Sequence, residues 1–192
     1  GVYGYYNGIL KEFGPERVFD TPISEAGIVG LAVGAAATGC RPVIDLMFMD
    51  FLGKCMDEVA NQLAKMRYMF GGRATLPVTM LTMAGAGASL AGQHSQSLEA
   101  WLCHLPGLKV CMPTTGYDAK GLIISAARDD NPVISFESNR LSAIEGEVPE
   151  EEYTIPLGKA DTKREGTDVT IVALAWLVHE ALAAADVLEK EG

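Results

Sequence analysis

The sequence predicts an α/β protein in which a parallel sheet carries helices on both faces, followed by the start of a second α/β domain. Strand-like runs rich in Val, Ile and Leu alternate with helical stretches along the chain. The apolar share of 48% and the charged share of 21% are typical of a folded globular protein. Five of the eight residues at 145–152 are Glu, which indicates a solvated linker between the two parts.

The elements follow in the alternating order that this fold requires. A short strand is predicted at 17–20, and Ser24 is placed to cap a helix that continues to about Thr38 and ends at Gly39. Helical apolar spacing recurs in the segment before Gly71 and Gly72. The other predicted elements are helices at 52–70 and 116–130 and strands at 41–48, 76–82, 108–112 and 132–137.

The acidic linker divides the chain into a first domain at 1–143 and a second unit at 158–192, with the linker itself at 144–157. After the linker, "TDVTIVALA" predicts a strong strand, and "WLVHEALAAADVLEKEG" predicts an amphipathic helix. One strand and one helix cannot bury their own apolar faces. We therefore expect the second domain to be truncated.

Several classes of function are disfavoured by charge and composition. A net charge of −10 without a Lys/Arg stripe argues against nucleic-acid binding. The longest uncharged apolar stretch, Ala26–Cys40, is only about half a membrane span. The four cysteines lack metal-binding spacing, and the sequence has neither an initiator Met nor a signal peptide. We expect a cytoplasmic protein whose N-terminus is missing.

Glu25 is a single carboxylate among small and apolar residues, in the first turn of a predicted helix. The helix dipole favours a carboxylate there by about 0.3–1 kcal/mol, and on physical grounds alone this account suffices. A chemical role would require a partner that shares a proton with a partly desolvated acid. Gly27, Gly30 and Gly34 leave one side of the helix bare, so another backbone can approach it closely.

Glu25 also begins a Glu-x4-Gly-apolar-x-x-Gly pattern with Gly30, Leu31 and Gly34. This pattern resembles the pyrimidine-binding domain of thiamine-diphosphate enzymes. From about residue 8 to 192 the chain is similar to the beta subunit of the decarboxylating component of 2-oxo acid dehydrogenase complexes, of the acetoin or pyruvate type. The similar segments include "FGPERVFDTPISEAGIVGLAVGAA", "FMDF", "NQLAKMRYMFGG", "QHSQSLEAW", "EVPEEEYTIPLGKAD" and "EGTDVTIVA".

The resemblance implies a role for Glu25 in activating thiamine diphosphate. The matching Glu hydrogen-bonds a ring nitrogen of the aminopyrimidine and favours the imino tautomer, which takes the thiazolium proton and so generates the ylid. Phe51 in "FMDF" matches the aromatic residue that packs on the aminopyrimidine, whereas Phe48 is expected in the core. Glu25 would thus act on the cofactor and not on the substrate.

His94 lies in "GQHSQS", after the glycine-rich run at 84–92. The run is neither a Walker loop nor a dinucleotide fingerprint. By resemblance, His94 faces the thiazolium and the incoming lipoyl group and exchanges a proton during acyl transfer. His104 is expected to be structural, and His179 is expected at the surface.

The turn after the helix at 116–130 has two interpretations. It is a polar turn before Pro132, or, as in relatives, it binds a structural potassium ion through backbone oxygens. The candidate ligands are Val78, Ala126, Ala127, Asp129 and Asn131.

The sequence contains no Gly-Asp-Gly motif followed by Asn. The resemblance implies that an alpha subunit binds magnesium and the diphosphate, and that two alpha and two beta chains form a heterotetramer. The lipoyl domain of an acyltransferase core would then receive the acyl group. This chain would be inactive by itself.

The predicted activity is that of an oxidoreductase beta subunit that acts on oxo groups with lipoamide as acceptor. "MRYMFGG" and "TMAGAG" slightly favour acetoin over pyruvate. A noncatalytic paralogue and a transketolase-like synthase are the alternatives of other classes. Leu81, where relatives commonly have Arg, leaves the substrate open. Ser138 and Asn139 stand in place of the usual His-Lys.

Overall fold

The computed structural model describes residues 4–191 and contains a four-stranded parallel sheet with the strand order β1-β2-β4-β3. This architecture confirms the predicted fold class. The strands are β1 (Val43–Phe48), β2 (Thr79–Ala84), β3 (Lys109–Cys111) and β4 (Val133–Ser138). The α-helices are α1 (Ile9–Phe13), α2 (Glu25–Ala37), α3 (Met66–Met69), α4 (Glu99–Cys103), α5 (Gly116–Arg128) and α6 (Trp176–Glu191).

The strand order explains why helices cover both faces of the sheet. The connections β1 to β2 and β2 to β3 step across the sheet in one direction, and the connection β3 to β4 steps back. Because crossovers between parallel strands are right-handed, α5 must lie on the face opposite to α4 and the segment after β1. Leu102 of α4 accordingly shares one buried cluster with Val29 of α2 and Leu63 after β1.

Strand β2 lies at the centre of the sheet, and all six of its residues are buried. It pairs in register with β1 through Val43 and Thr79 and with β4 through Thr79 and Val133. Covering by helices on both faces explains why this strand carries apolar residues at consecutive positions. Ile134 and Phe136 of β4 are also fully buried and extend the same core.

The helix predicted at 52–70 is divided into three parts. A 3₁₀ helix spans Met49–Cys55, a π-helical segment spans Glu58–Leu63, and α3 follows. The wider π turn is closed by a hydrogen bond of 3.0 Å from the Ala64 N–H to the Val59 carbonyl. It directs the Ala64 carbonyl at Gly107, where a Cβ atom would collide with that oxygen.

Two of the predicted strands are wrong. Residues 17–20 and 167–175 form no strand, and no strand of the described chain pairs with either segment. Most of their large apolar side chains remain exposed, as shown by Phe19 at 61% and Val172 at 89%. Strand propensity without a neighbouring ladder leaves backbone groups unpaired, so these segments stay irregular.

The linker and the last helix pack on the first domain. Lys120 of α5 donates to the carbonyls of Glu150 and Glu151 at 3.1 and 3.0 Å, and Tyr153 stacks on Tyr117 with ring centroids 4.4 Å apart. The predicted amphipathic helix after the linker is confirmed as α6. Across residues 4–191, no helix combines the length and apolar character needed to cross a membrane.

Candidate functional site

The site begins at a β-bulge at the end of β1. Asp45 pairs with Leu81 and Phe48 pairs with Met83, so β1 has one more residue than β2 over this interval. Met47 takes up the extra residue with a left-handed φ of 64°. Its N–H donates to Asp45 Oδ1 at 2.7 Å, which holds the bulge in place. The chain then turns into the 3₁₀ helix that carries Phe51.

Three aromatic rings meet beyond the bulge, and we call Phe48, Phe51 and His94 the ring cluster. The imidazole of His94 lies 4.8 Å from the Phe48 ring and 5.4 Å from the Phe51 ring, and both pairs are T-shaped. Phe48 is buried, as expected, whereas Phe51 and His94 are half-buried. The structure therefore brings together two of the three principal residues predicted for the site.

Asp50 ties the His94 loop to the 3₁₀ helix. Its Oδ1 accepts hydrogen bonds from the backbone N–H groups of Ser95 and Gln96, both at 3.3 Å, and from Gln96 Nε2 at 2.9 Å. The N–H of Leu98 also contacts Met49 Sδ at 3.1 Å. Sequence reasoning missed Asp50, although its position between the two phenylalanines of "FMDF" was a usable signal.

Asn139 ties the same loop from the other side. Its Nδ2 donates to the carbonyls of Gly85 and His94 at 2.6 and 3.5 Å. The loop also closes on itself through the Gly85 N–H, which donates to the Gln96 carbonyl at 2.8 Å. The sequence marked Asn139 only as a departure from relatives, since its partners are distant along the chain.

Glu25 occupies the first turn of α2, whose N-cap is Ser24 as predicted. The Ser24 hydroxyl accepts from the Gly27 N–H at 3.4 Å, so the cap is satisfied without the carboxylate. Glu25 is half-buried. Among residues 4–191, no group forms a hydrogen bond or an ion pair with its side chain.

Cys55 is the last residue of the 3₁₀ helix that carries Phe51, and its side chain is fully buried. Burial first, and then the charges of Glu58 and Glu25, raise the pKa of the Cys55 thiol to about 12. Glu25 thus raises the pKa of a thiol that lies four residues after Phe51 in the sequence. Glu58 approaches α2 at Gly30, where a Cβ atom would lie 3.8 Å from Glu58 Cγ.

The candidate potassium ligands surround one turn at the end of α5. The carbonyls of Ala127 and Asp129 accept from Arg41 Nη1 at 3.2 and 3.0 Å, and Arg41 also pairs with the Asp130 carboxylate. Each carbonyl oxygen has a second lone pair, so the turn can still contribute oxygens to a cation. Such an ion would share two of its ligands with a guanidinium.

Two of the three remaining candidate oxygens, those of Val78 and Ala126, already accept hydrogen bonds. The Val78 carbonyl accepts from the Val133 N–H at 2.9 Å, and the Ala126 carbonyl accepts from the Asp129 N–H at 3.1 Å. Asn131 donates through its backbone N–H and Nδ2 to Asp129 Oδ1, both at 2.9 Å. Within 4–191, no three His, Cys, Asp or Glu side chains gather as a metal site.

The two other histidines lie apart from the ring cluster. His104 is exposed at the C-terminal end of α4. His179 is half-buried, which corrects the expectation of a surface residue. Its Nε2 lies 3.2 Å from the Thr114 carbonyl, because α6 packs on the first domain. Its ring also stacks on Trp176 of the same helix, with ring centroids 5.8 Å apart.

Comparison with known families divides the chain into two matches. The family described as "Transketolase, pyrimidine binding domain" matches residues 1–143. The family described as "Transketolase, C-terminal domain" matches residues 158–192.

Curated relatives match the chain over its whole length. The beta subunits of acetoin:2,6-dichlorophenolindophenol oxidoreductase from Bacillus subtilis and Cupriavidus necator are 54% and 53% identical, covering 100% of this chain and 56% of each relative. The beta subunit of the pyruvate dehydrogenase E1 component from Bacillus subtilis is 52% identical, covering 100% of this chain and 59% of the relative. The chain thus spans somewhat over half the length of these relatives.

A solved structure described as "Split gene transketolase, inactive beta4 tetramer" superimposes with a TM-score of 0.78 at 28% identity. The match covers 98% of this chain and 58% of the other.

Proposed function

The chain belongs to the family of transketolase pyrimidine-binding domains, and on that premise we propose that it is part of the beta subunit of a thiamine-diphosphate-dependent acetoin or 2-oxo acid dehydrogenase. The observation that carries the proposal is the half-buried carboxylate of Glu25, which has no partner within residues 4–191. Relatives at 54% and 52% identity are named as beta subunits of acetoin and pyruvate enzymes.

The residues of the site fit the aminopyrimidine of the cofactor. Glu25 offers an unpaired acceptor for a ring nitrogen, and Phe51 offers a half-buried aromatic ring against which a flat heterocycle can pack. The thiol of Cys55, at the end of the helix that carries Phe51, stays neutral at physiological pH, because burial and the charges of Glu58 and Glu25 raise its pKa to about 12. No thiolate at Cys55 therefore competes with the Glu25 carboxylate.

When bound, thiamine diphosphate supplies the carbon nucleophile that attacks the substrate carbonyl. The residues of this chain position the reacting groups and transfer protons. Glu25 holds a proton at the pyrimidine nitrogen, and Phe51 excludes water from that ring. His94, fixed against Phe51 at 5.4 Å, moves a proton at its imidazole nitrogen to or from the reacting oxygen.

The proposal includes an alpha subunit that binds magnesium and the diphosphate, within a heterotetramer of two alpha and two beta chains. It also includes lipoamide on an acyltransferase core as the acceptor, and a structural potassium ion at the Ala127–Asn131 turn. The absence of a Gly-Asp-Gly motif followed by Asn supports the first point. Four free cysteines support a reducing, cytoplasmic location.

For the substrate we propose acetoin, with pyruvate as the second candidate. The segments "MRYMFGG" and "TMAGAG" favour acetoin, and two of the relatives carry an acetoin name at 54% and 53% identity. A relative that is named as a pyruvate dehydrogenase subunit is 52% identical, which supports pyruvate as the second candidate.

Co-expression of the full-length chain with its alpha partner tests the proposal. Purified complex is assayed with acetoin, pyruvate and branched 2-oxo acids, with and without thiamine diphosphate, using a dye as electron acceptor. We expect cofactor-dependent turnover that is fastest with acetoin and no turnover by the chain alone. Absence of turnover with every substrate would overturn the enzymatic proposal in favour of a noncatalytic paralogue.

A further inference from the structure

The loop at 85–97, which carries His94, follows an unusual backbone path. Ser89 and Ala91 have left-handed φ angles of 56° and 60°, although neither is glycine. At Gly87 the backbone passes so close to Arg140 that a Cβ atom would collide with its side chain. A loop with such a path needs contacts elsewhere to hold it in one conformation.

Asn139 supplies contacts to both arms of this loop. Its Nδ2 donates to the Gly85 carbonyl at 2.6 Å on the outgoing arm and to the His94 carbonyl at 3.5 Å on the returning arm. Its backbone N–H donates to the Ala84 carbonyl at 3.0 Å. Because one NH₂ group has two hydrogens, a single side chain joins the arms.

Asn139 is itself held rigidly. It directly follows β4, whose last residue Ser138 pairs with Ala84 of β2. The residue is only 5% exposed, so the environment leaves its amide little freedom. Its Oδ1 is buried and has no hydrogen-bond partner within residues 4–191, so the orientation is set by the two carbonyls that the NH₂ group faces.

We propose that Asn139 is a positioning residue that holds His94 against the rings of Phe48 and Phe51. A donor is required at this position, since both loop partners are carbonyl oxygens that can only accept. The positional part of the inference stands on the contacts above, and its consequence for turnover rests on the proposed function.

Two variants separate the donor from the bulk of the side chain. Asn139→Asp keeps the shape but faces the carbonyls of Gly85 and His94 with a second acceptor, so it should displace the loop. Asn139→Ala removes the donor without adding repulsion and should have a smaller effect. Asn61→Asp is the matched control, because that amide donates to Asp57 on the exposed surface of the π-helical segment.

The first measurement reads the position of His94 directly. The two phenylalanine rings that lie 4.8 and 5.4 Å away shift the NMR signals of the His94 ring protons. With full-length chain labelled at histidine, the signal is assigned by its loss in His94→Gln. We expect Asn139→Asp to move it toward its unstructured value, with Asn139→Ala intermediate and Asn61→Asp unchanged. His179, which stacks on Trp176, reports whether the rest of the fold is intact.

The second measurement tests the catalytic consequence in the alpha–beta complex. We expect Asn139→Asp to lower kcat by about 10- to 100-fold with little change in KM, since misplacement of about 1 Å costs this much. An unshifted His94 signal in Asn139→Asp with the His179 signal intact would overturn the inference. A shifted signal supports it even if the wild-type complex turns over no substrate, in which case only the proposed function fails.

Discussion

Glu25 and Asp50 are both half-buried carboxylates, yet the chain uses them differently. Asp50 accepts three hydrogen bonds at its Oδ1 and so joins the ring cluster to the His94 loop. Glu25 accepts none from residues 4–191, because the Ser24 hydroxyl already caps its helix. The chain therefore completes the aromatic side of the candidate site, which consists of the ring cluster and the His94 loop. The α2 side, which consists of Glu25 in the first turn of α2, presents an acid that is available to a ligand.

This difference assigns a structural role to Asp50 and predicts a chemical role for Glu25. Replacing a carboxylate that is committed to the fold should change stability, whereas replacing one that is available to a ligand should change activity and leave stability alone. Four predictions test this division between the two sides of the site.

Glu25→Gln should have the largest effect. We expect turnover of the alpha–beta complex to fall by about 10²- to 10⁴-fold, since Gln cannot hold the proton, while the melting temperature stays the same. Steady-state kinetics and thermal unfolding measure the two quantities. Glu12→Gln, another first-turn helix glutamate, is the control for activity. A large loss of stability in Glu25→Gln would show that this carboxylate has a structural role, as Asp50 does.

Cys55 is fully buried at the end of the 3₁₀ helix that carries Phe51, so its reactivity reports whether this part of the core stays closed in solution. Raising its pKa from 9.0 to about 12 lowers the thiolate fraction near neutral pH roughly a thousandfold. We expect iodoacetamide to label Cys40 and Cys103, which are exposed, long before Cys55. Peptide mass spectrometry over time measures the rates. Equal labelling of Cys55 and Cys103 would mean that this part of the core opens in solution.

Asp50→Ala should lower the free energy of unfolding by about 1–2 kcal/mol, because three N–H donors of the loop lose their charged acceptor. Asp50→Asn keeps an acceptor oxygen and should recover most of this loss. Urea denaturation of the full-length chain measures both variants. If both the alanine and the asparagine variant were as stable as the wild type, Asp50 would not stabilise the His94 loop.

Phe51→Leu should have the smallest effect. We expect thiamine diphosphate to activate the complex with an affinity about two- to twelvefold weaker, since an aromatic pair contributes about 0.5–1.5 kcal/mol beyond area burial. Phe70→Leu, at an aromatic residue that is 60% exposed, is the control. Cofactor activation curves measure the shift. Unchanged affinity in Phe51→Leu would place the cofactor ring away from the ring cluster.

Local pattern was sufficient for most of the helices and strands. Ser24 caps α2 as its position predicted, and the strands at the centre of the sheet lie where apolar runs indicated them. Pattern failed at residues 167–175, whose strand-forming composition meets no neighbouring strand in residues 4–191. A helix can satisfy its own backbone, but a strand depends on a neighbour that its sequence cannot specify.

The candidate site shows the same division. The spacing after Glu25 and the motif "FMDF" identified an acid and an aromatic residue, and a glycine-rich segment marked the loop of His94. Glu25, Phe51 and His94 were therefore available from residue types and short spacings, together with the resemblance to a known family. Their chemistry depends on groups that each side chain carries by itself.

The contacts that hold those residues in place were decided by the tertiary structure. Asp50 meets Gln96 across 46 positions, and Asn139 meets Gly85 across 54. The bulge at Met47, which redirects the chain toward Phe51, exists only against the register of β2. Hydrogen bonds between distant segments arise once the sheet has brought strand ends together, so no local pattern encodes them.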